Sequence, residues 1–205
     1  MPAAIRTWQH GHANTDLLKD ATDALADGGL VVFPTETVYG VGGRWDLVTT
    51  DAKLRAAKGR AHDKPFQILV GGLPGLGQLR VEMPDLGHRF ADVFWPGPLT
   101  LVVPTPSGEF IGLREPDHEV ALAVMHCGGG SLLASSANRS GEPPARTAAE
   151  AAVALGDAVE LVIDDGPARL GASSSVVRVT AEGWELLREG AISREELEEV
   201  GGIER

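Results

Sequence analysis

Short apolar runs, each soon stopped by proline, glycine or a polar cluster, constrain this chain more than any other feature. The run at 30–33 stops at Pro34, and the run at 99–103 stops at Pro104. Runs of that length fit buried strands. Further strands are expected at 66–70, 111–114, 120–125, 132–135, 161–163, 175–179 and 185–188. Helices are expected between them. At 15–27, Leu17, Leu18, Ala21, Ala24 and Leu25 make one apolar stripe, and Gly28-Gly29 ends it. A second helix spans 51–58 and stops at Gly59; a third spans 85–95 and is ended by Pro96-Gly97-Pro98. Thr147 with Glu150, and Ser193 with Glu196, have the spacing of capping boxes, and Ile192 with Leu197 has that of a hydrophobic staple. Strands outnumber helices without strict alternation. The pattern predicts a mixed, α+β-like α/β domain, a twisted mixed sheet flanked by helices, and not a doubly wound one.

With 205 residues the chain suits a single domain over 1–205, with its core at about 15–192. No apolar run reaches the roughly 20 residues that span a bilayer, so no membrane partner is expected. The first fifteen residues lack a secretion signal, and the lone Cys127 excludes an internal disulfide; a cytoplasmic location is expected. A net charge of −11 argues against a protein whose main task is gripping nucleic acid. The six histidines form no zinc pattern, and His10 and His12 are expected in a flexible terminus.

Three segments carry chemistry. Pro34-Thr35-Glu36-Thr37-Val38-Tyr39-Gly40 follows an apolar run, where polar groups read either as a site or as a turn bonding its own backbone. Lys58-Gly59-Arg60, followed by Lys64-Pro65, puts cations at a helix end, where they suit phosphates as well as the helix dipole. Ser135-Ser136-Ala137-Asn138-Arg139-Ser140-Gly141 crowds hydroxyls and an amide behind another apolar run. Neither a Walker lysine motif nor a dinucleotide pattern occurs, so a nucleotide would be held by other means.

Together these segments resemble the YrdC-like family of threonylcarbamoyl-AMP synthases. PTETVYGVG from Pro34, KGR from Lys58, WPGPLTLVV from Trp95, GLREPDHEVA from Gly112, SSANRSGEPPARTAAE from Ser135, ASSSVVRV from Ala172 and LLREGAI from Leu186 occur in the family's order. The resemblance implies a YrdC-like fold with a concave substrate cleft, in the short form without the extra C-terminal domain of some relatives. It implies a nucleotidyltransferase that joins L-threonine, bicarbonate and ATP, with Mg2+ carried by ATP, and that serves tRNA modification. It implies that Thr37, Arg114, Ser136 and Ser174 contact L-threonine, with Arg114 on its carboxylate through two parallel bonds. Lys58 and Arg60 are implied to be catalytic and to face the phosphates. Lys64, Asn138, Arg146 and Arg188 are implied to contact ATP. No resident metal ligand is implied. The tRNA threonylcarbamoyl transferase proteins would be partners, with weak or no direct tRNA binding. Two positions depart from the family: Ser175 replaces a usual Thr, and Leu69 stands where many relatives carry His near the threonine. The alternatives are an RNA-binding module without catalysis, a low-activity paralogue, and a hydrogenase-maturation type of carbamoyl-adenylate enzyme. The last is normally part of a much longer chain with zinc-finger cysteines.

Overall fold

Apolar runs that alternate between two faces need both faces covered, and the chain does this with one long sheet. The computed structural model describes residues 3–61, 65–72, 76–77, 79, 81 and 83–203. Its strands are β1 (Ala4–Thr7), β2 (Val31–Phe33), β3 (Gly40–Arg44), β4 (Gln67–Val70), β5 (Leu99–Pro104), β6 (Phe110–Arg114), β7 (Ser131–Ser136), β8 (Leu161–Asp164), β9 (Ser175–Val179) and β10 (Trp184–Arg188). They form one mixed sheet in the order β1-β8-β2-β3-β7-β4-β6-β5-β9-β10. Around it lie α1 (Thr15–Ala26), α2 (Thr49–Lys58), α3 (Asp85–Phe94), α4 (Glu119–Cys127), α5 (Ala148–Leu155) and α6 (Arg194–Gly201). This is the mixed α/β sheet expected.

Register decides which face each side chain takes, because strand side chains alternate. On one face, α1 and α4 cover the β8-β2-β3-β7 half, packing Leu17, Leu25 and Met125 on Phe33 and Leu132. On the other face, α2 and α5 pack Leu54 and Leu155 on Val32 and Val41, and α3 and α6 pack Phe90 and Leu197 on Leu101, Leu113 and Val177. What remains is the α1 side of the β4-β6-β5-β9-β10 half. Gln67 pairs with Gly112, Gly112 with Val102 and Val102 with Arg178, a row that stays half-buried. Beside it run Leu69 paired with Arg114, then Thr100 with Val176 and Val176 with Arg188. The active-site candidates lie on and around this face, where no helix among the described residues packs on the Gln67 row and where Leu69, Thr100 and Arg114 are nevertheless buried.

Two local readings are corrected. Residues 120–125, expected as a strand, lie inside α4, whose first turn is held by His118: its Nδ1 accepts from Val120 N at 3.3 Å. The N-terminus, expected flexible, instead adds β1 in parallel to β8, buries Trp8, and brings His10 Nε2 to 2.7 Å from Asp165. The Ser193–Glu196 capping box is complete. At α5 only half of one forms: Thr147 Oγ1 accepts from Glu150 N at 3.2 Å, while the Glu150 carboxylate accepts from Arg146 N.

Candidate active site

The loop after β2 folds back over the sheet, because Phe33 and Gly40 at its two ends are paired neighbours. It carries Thr35, Glu36 and Thr37, all buried. Thr35 bonds its own loop, donating to Val38 O at 2.6 Å. Glu36 does not. Its Oε1 accepts from Arg114 Nη2 at 2.7 Å, in an ion pair whose side chains are 2% and 4% exposed. Asp117, near it in sequence, pairs instead with Arg169 at 2.8 Å. Arg114 Nε donates to Gly97 O at 3.0 Å, and Nη2 also donates to Thr37 Oγ1 at 2.9 Å. Among the described residues Nη1 has no partner. The two edges of the fork that include Nη2 are therefore already engaged, and Nη1 is the nitrogen left to meet a ligand. Burial lowers the guanidinium pKa, and Glu36 opposes that shift. Glu36 Oε2 is buried with no bond of its own.

Lys58 ends α2 and is 2% exposed. Its ammonium donates to Ser136 O at 2.5 Å and to Asn138 O at 2.6 Å, tying the helix to the loop after β7. Burial, and secondarily the charge of Arg60, pull its pKa from 10.5 down to about 8. Gly59 has φ +60°, the left-handed turn that ends the helix. Arg60 lies over the Phe66 ring, 4.8 Å from its centroid, and donates to Pro65 O at 2.8 Å and to Ser135 Oγ at 3.4 Å.

Asn138 is fixed by its amide, which donates to Arg139 O at 2.8 Å and Glu142 O at 2.7 Å. Ser136 Oγ donates to Asn138 Oδ1. At the far side, Arg188 Nη2 donates to Ser174 O at 2.7 Å and to Ser174 Oγ at 3.2 Å. Its pKa is lowered by burial first, then by Arg114 and Arg60. Arg188 thus feels the charges of both Arg114 and Arg60, and Glu36 is the buried carboxylate paired with Arg114. Such a cluster suits a ligand that brings several negative charges. Arg146 stands at the margin, exposed, its guanidinium against Gly171. Leu69 points into the core under α1 and α4. Lys64 lies outside the described residues.

A family model for the Sua5, YciO and YrdC proteins, described as telomere recombination, matches residues 23–190. The chain belongs to this family. A Pyrococcus abyssi protein named threonylcarbamoyl-AMP synthase is 36% identical over 194 residues, covering 90% of this chain and 57% of that protein. A Chromohalobacter salexigens protein of the same name is 35% identical over 182 residues, covering 84% of this chain and 97% of its own length. The crystal structure of P. abyssi Sua5 complexed with L-threonine superposes with a TM-score of 0.90 at 33% identity, over 99% of this chain and 62% of that one. The chain therefore spans little more than half of the archaeal relative and nearly all of the bacterial one.

Sequence reading brought Thr37, Arg114, Ser136, Asn138, Ser174, Lys58, Arg60 and Arg188 to this region, and they share its bonds and fields. It missed Glu36 as the partner of Arg114. It also missed Thr100 and Gln67, which bond Ser174 in a chain: Thr100 Oγ1 lies 2.9 Å from Ser174 Oγ and donates to Gln67 Oε1 at 2.8 Å. A threonine inside an apolar strand run was the available signal for Thr100, since a buried hydroxyl needs a partner.

Proposed function

We propose that this chain is an L-threonylcarbamoyladenylate synthase, a nucleotidyltransferase that converts L-threonine, bicarbonate and ATP into threonylcarbamoyl-AMP, pyrophosphate and water. The observation that carries the reading is Arg114, ion-paired to buried Glu36, on the same sheet face as Arg188, which is bonded to Ser174 and feels the charges of Arg114 and Arg60. Relatives that bear the synthase name, one of them hardly longer than the matched region, support it.

The chemistry needs no protein nucleophile. The threonine amine takes up bicarbonate to give a carbamate and water. A carbamate oxygen then attacks the α-phosphorus, and the bond to pyrophosphate breaks. The protein's share is to align three substrates and to neutralise charge that collects as anions meet. Arg114 Nη1 takes the amino-acid carboxylate, and Arg60 and Arg188 face the nucleotide's phosphates. Lys58 holds the Ser136–Asn138 loop at its backbone carbonyls and adds a positive charge beneath the same phosphates. Mg2+ would enter as part of the ATP complex, because the site's own side chains are cations, hydroxyls and one carboxylate, whose Oε1 is bonded to Arg114. The adenylate is a mixed anhydride, so a transferase acting on tRNA is the partner that consumes it.

Pyrophosphate release from ATP, measured with and without L-threonine and bicarbonate, tests the reading. Release that requires both, with a product of the adenylate's mass, is expected. ATP turnover that ignores L-threonine, or salt-dependent tRNA binding with no turnover, would overturn it.

A further inference from the structure

The hydroxyls of this site have a direction, and it can be counted. A hydroxyl has one proton to give and two lone pairs to receive. Thr35 Oγ1 gives its proton to a backbone carbonyl, Val38 O, at 2.6 Å. It also receives Thr37 N and Val38 N, both long at 3.3 Å, and with its own proton spent the 2.8 Å contact with Thr37 Oγ1 uses the proton of Thr37. Thr37 Oγ1 also accepts from Arg114 Nη2 at 2.9 Å. It is left with one lone pair and no free proton.

Ser136 repeats the pattern. Its proton goes to Asn138 Oδ1, and that oxygen cannot be the amide nitrogen, because the nitrogen is already donating to two carbonyls. Ser174 repeats it again. With the Gln67 amide oxygen turned to Thr100, as the structure has it, Thr100 Oγ1 donates to Gln67 Oε1 and the bond between Thr100 and Ser174 uses the proton of Ser174, whose oxygen accepts from Arg188 Nη2.

We propose that Thr37, Ser136 and Ser174 form an acceptor-only set, so that the amino-acid ligand is selected by the hydrogens it brings: its side-chain hydroxyl and its α-amino group must donate. The inference rests on reading this face as the amino-acid site. It deepens that reading by separating the ligand's groups. Lone pairs that cannot turn into donors repel a carboxylate or a phosphate, so anionic oxygens are left to the guanidinia. An amino acid bound the wrong way round would set its carboxylate against oxygen lone pairs. A site built to bond a hydroxyl also leaves its own polar groups unpaired when an apolar isostere enters.

Two steric pairs test the direction. L-threonine and L-valine match in size, and the hydroxyl adds both a donor and an acceptor. O-methyl-L-threonine and L-isoleucine also match in size, and the ether adds an acceptor alone. Binding to the ATP-loaded protein is read by calorimetry or by competition with L-threonine. L-threonine is expected to bind at least tenfold tighter than L-valine, and O-methyl-L-threonine no tighter than L-isoleucine. An ether that gains tenfold over its alkyl partner would overturn the inference. Neutron diffraction of the L-threonine complex reads the same question without the larger ligands. Deuterium of Thr37, Ser136 and Ser174 is expected on Thr35, Asn138 and Thr100; deuterium from any of the three directed at the ligand would overturn the acceptor-only set. The two readings fail separately. If L-threonine neither binds nor supports pyrophosphate release, the proposed function falls. If L-threonine is turned over but the ether wins, only the direction of the hydroxyls falls.

Discussion

Arg114 and Glu36 hold each other inside the protein, and that alters what either substitution would do. Removing one partner of a buried pair leaves an uncompensated charge, at a cost of about 3–5 kcal/mol. Arg114→Ala should therefore lower the unfolding free energy by that order in urea titration, in addition to raising the threonine requirement. The double variant Arg114→Met with Glu36→Leu should recover most of the stability and none of the threonine dependence. If Arg114→Ala unfolds like the parent protein, the pair is not the buried contact described. Lys58 makes a second prediction at this scale, through pH. Its folded pKa of about 8 lies below the ordinary 10.5, so between those values the unfolded chain binds more protons and Lys58 makes stability rise with pH. The stability difference between the parent and Lys58→Met should shift in the parent's favour from pH 8 to 10.5. Over the same window the lost ammonium charge should lower kcat/KM for ATP, which reports the free enzyme, with a one-proton fall near pH 8. A kcat/KM for ATP that is unchanged at pH 9.5 would remove Lys58 from the charge-stabilising set.

The segment after β10 is held close against the start of β9. A Cβ on Gly190 would lie 2.3 Å from Ser173 O and 2.6 Å from Ser174 C and O, which are backbone atoms that cannot turn aside. Ser175 closes the same contact: its Oγ accepts from Gly190 N at 2.9 Å and Ile192 N at 3.0 Å, and donates to Ile192 O at 2.6 Å. This is what the hydroxyl kept by the Thr-to-Ser departure does. Gly190→Ala should push the segment off the strand, lengthen the Arg188 bonds to Ser174 and cost about 1–3 kcal/mol. A loss of pyrophosphate release larger than the melting shift explains, read on one sample, is the expected result; unchanged turnover would show that Arg188 does not need this anchor. Much at this scale was legible. Caps, proline stops and apolar stripes put most helices and strands within a residue or two of their positions. The misread elements share a physical cause. Residues 120–125 are a short apolar run, which has no periodicity to separate helix from strand. In β1 all four side chains are exposed, so no alternation betrays it. In β3 the glycines of 40–43 serve packing: a Cβ on Gly43 would come within 3.0 Å of Gly29 O, and one on Gly42 within 3.0 Å of Leu133 O. Glu36 was legible as a polar residue after a strand. Its partner was not, because that partner lies 78 residues away and only the sheet order brings it near.

For the whole molecule, the sign of charge divides between surface and site. The chain carries a net charge of −11, yet Arg188 feels both Arg114 and Arg60, and Glu36 is the one buried carboxylate among the described residues. A small polyanion such as ATP can be focused into the site, where the local field is set by the nearest groups. A tRNA is different. Its backbone would extend far beyond the cleft over a surface that is acidic on balance, and it would release few counterions there. Non-specific nucleic-acid affinity needs clustered cations and usually falls at about 10⁻⁴–10⁻⁶ M. The expectation is that labelled tRNA shows no saturable anisotropy change at about 10 μM protein and 50 mM salt, while ATP binding persists on the same sample and weakens only modestly at 200 mM salt. The adenylate would then have to be handed to a separate transferase, and not used on a tRNA already bound here. Micromolar tRNA binding that drops steeply between the two salt concentrations would reverse this. It would mean that a cationic path leads out of the cleft, and that the acidic balance of the whole chain is a poor guide to the surface beside the site.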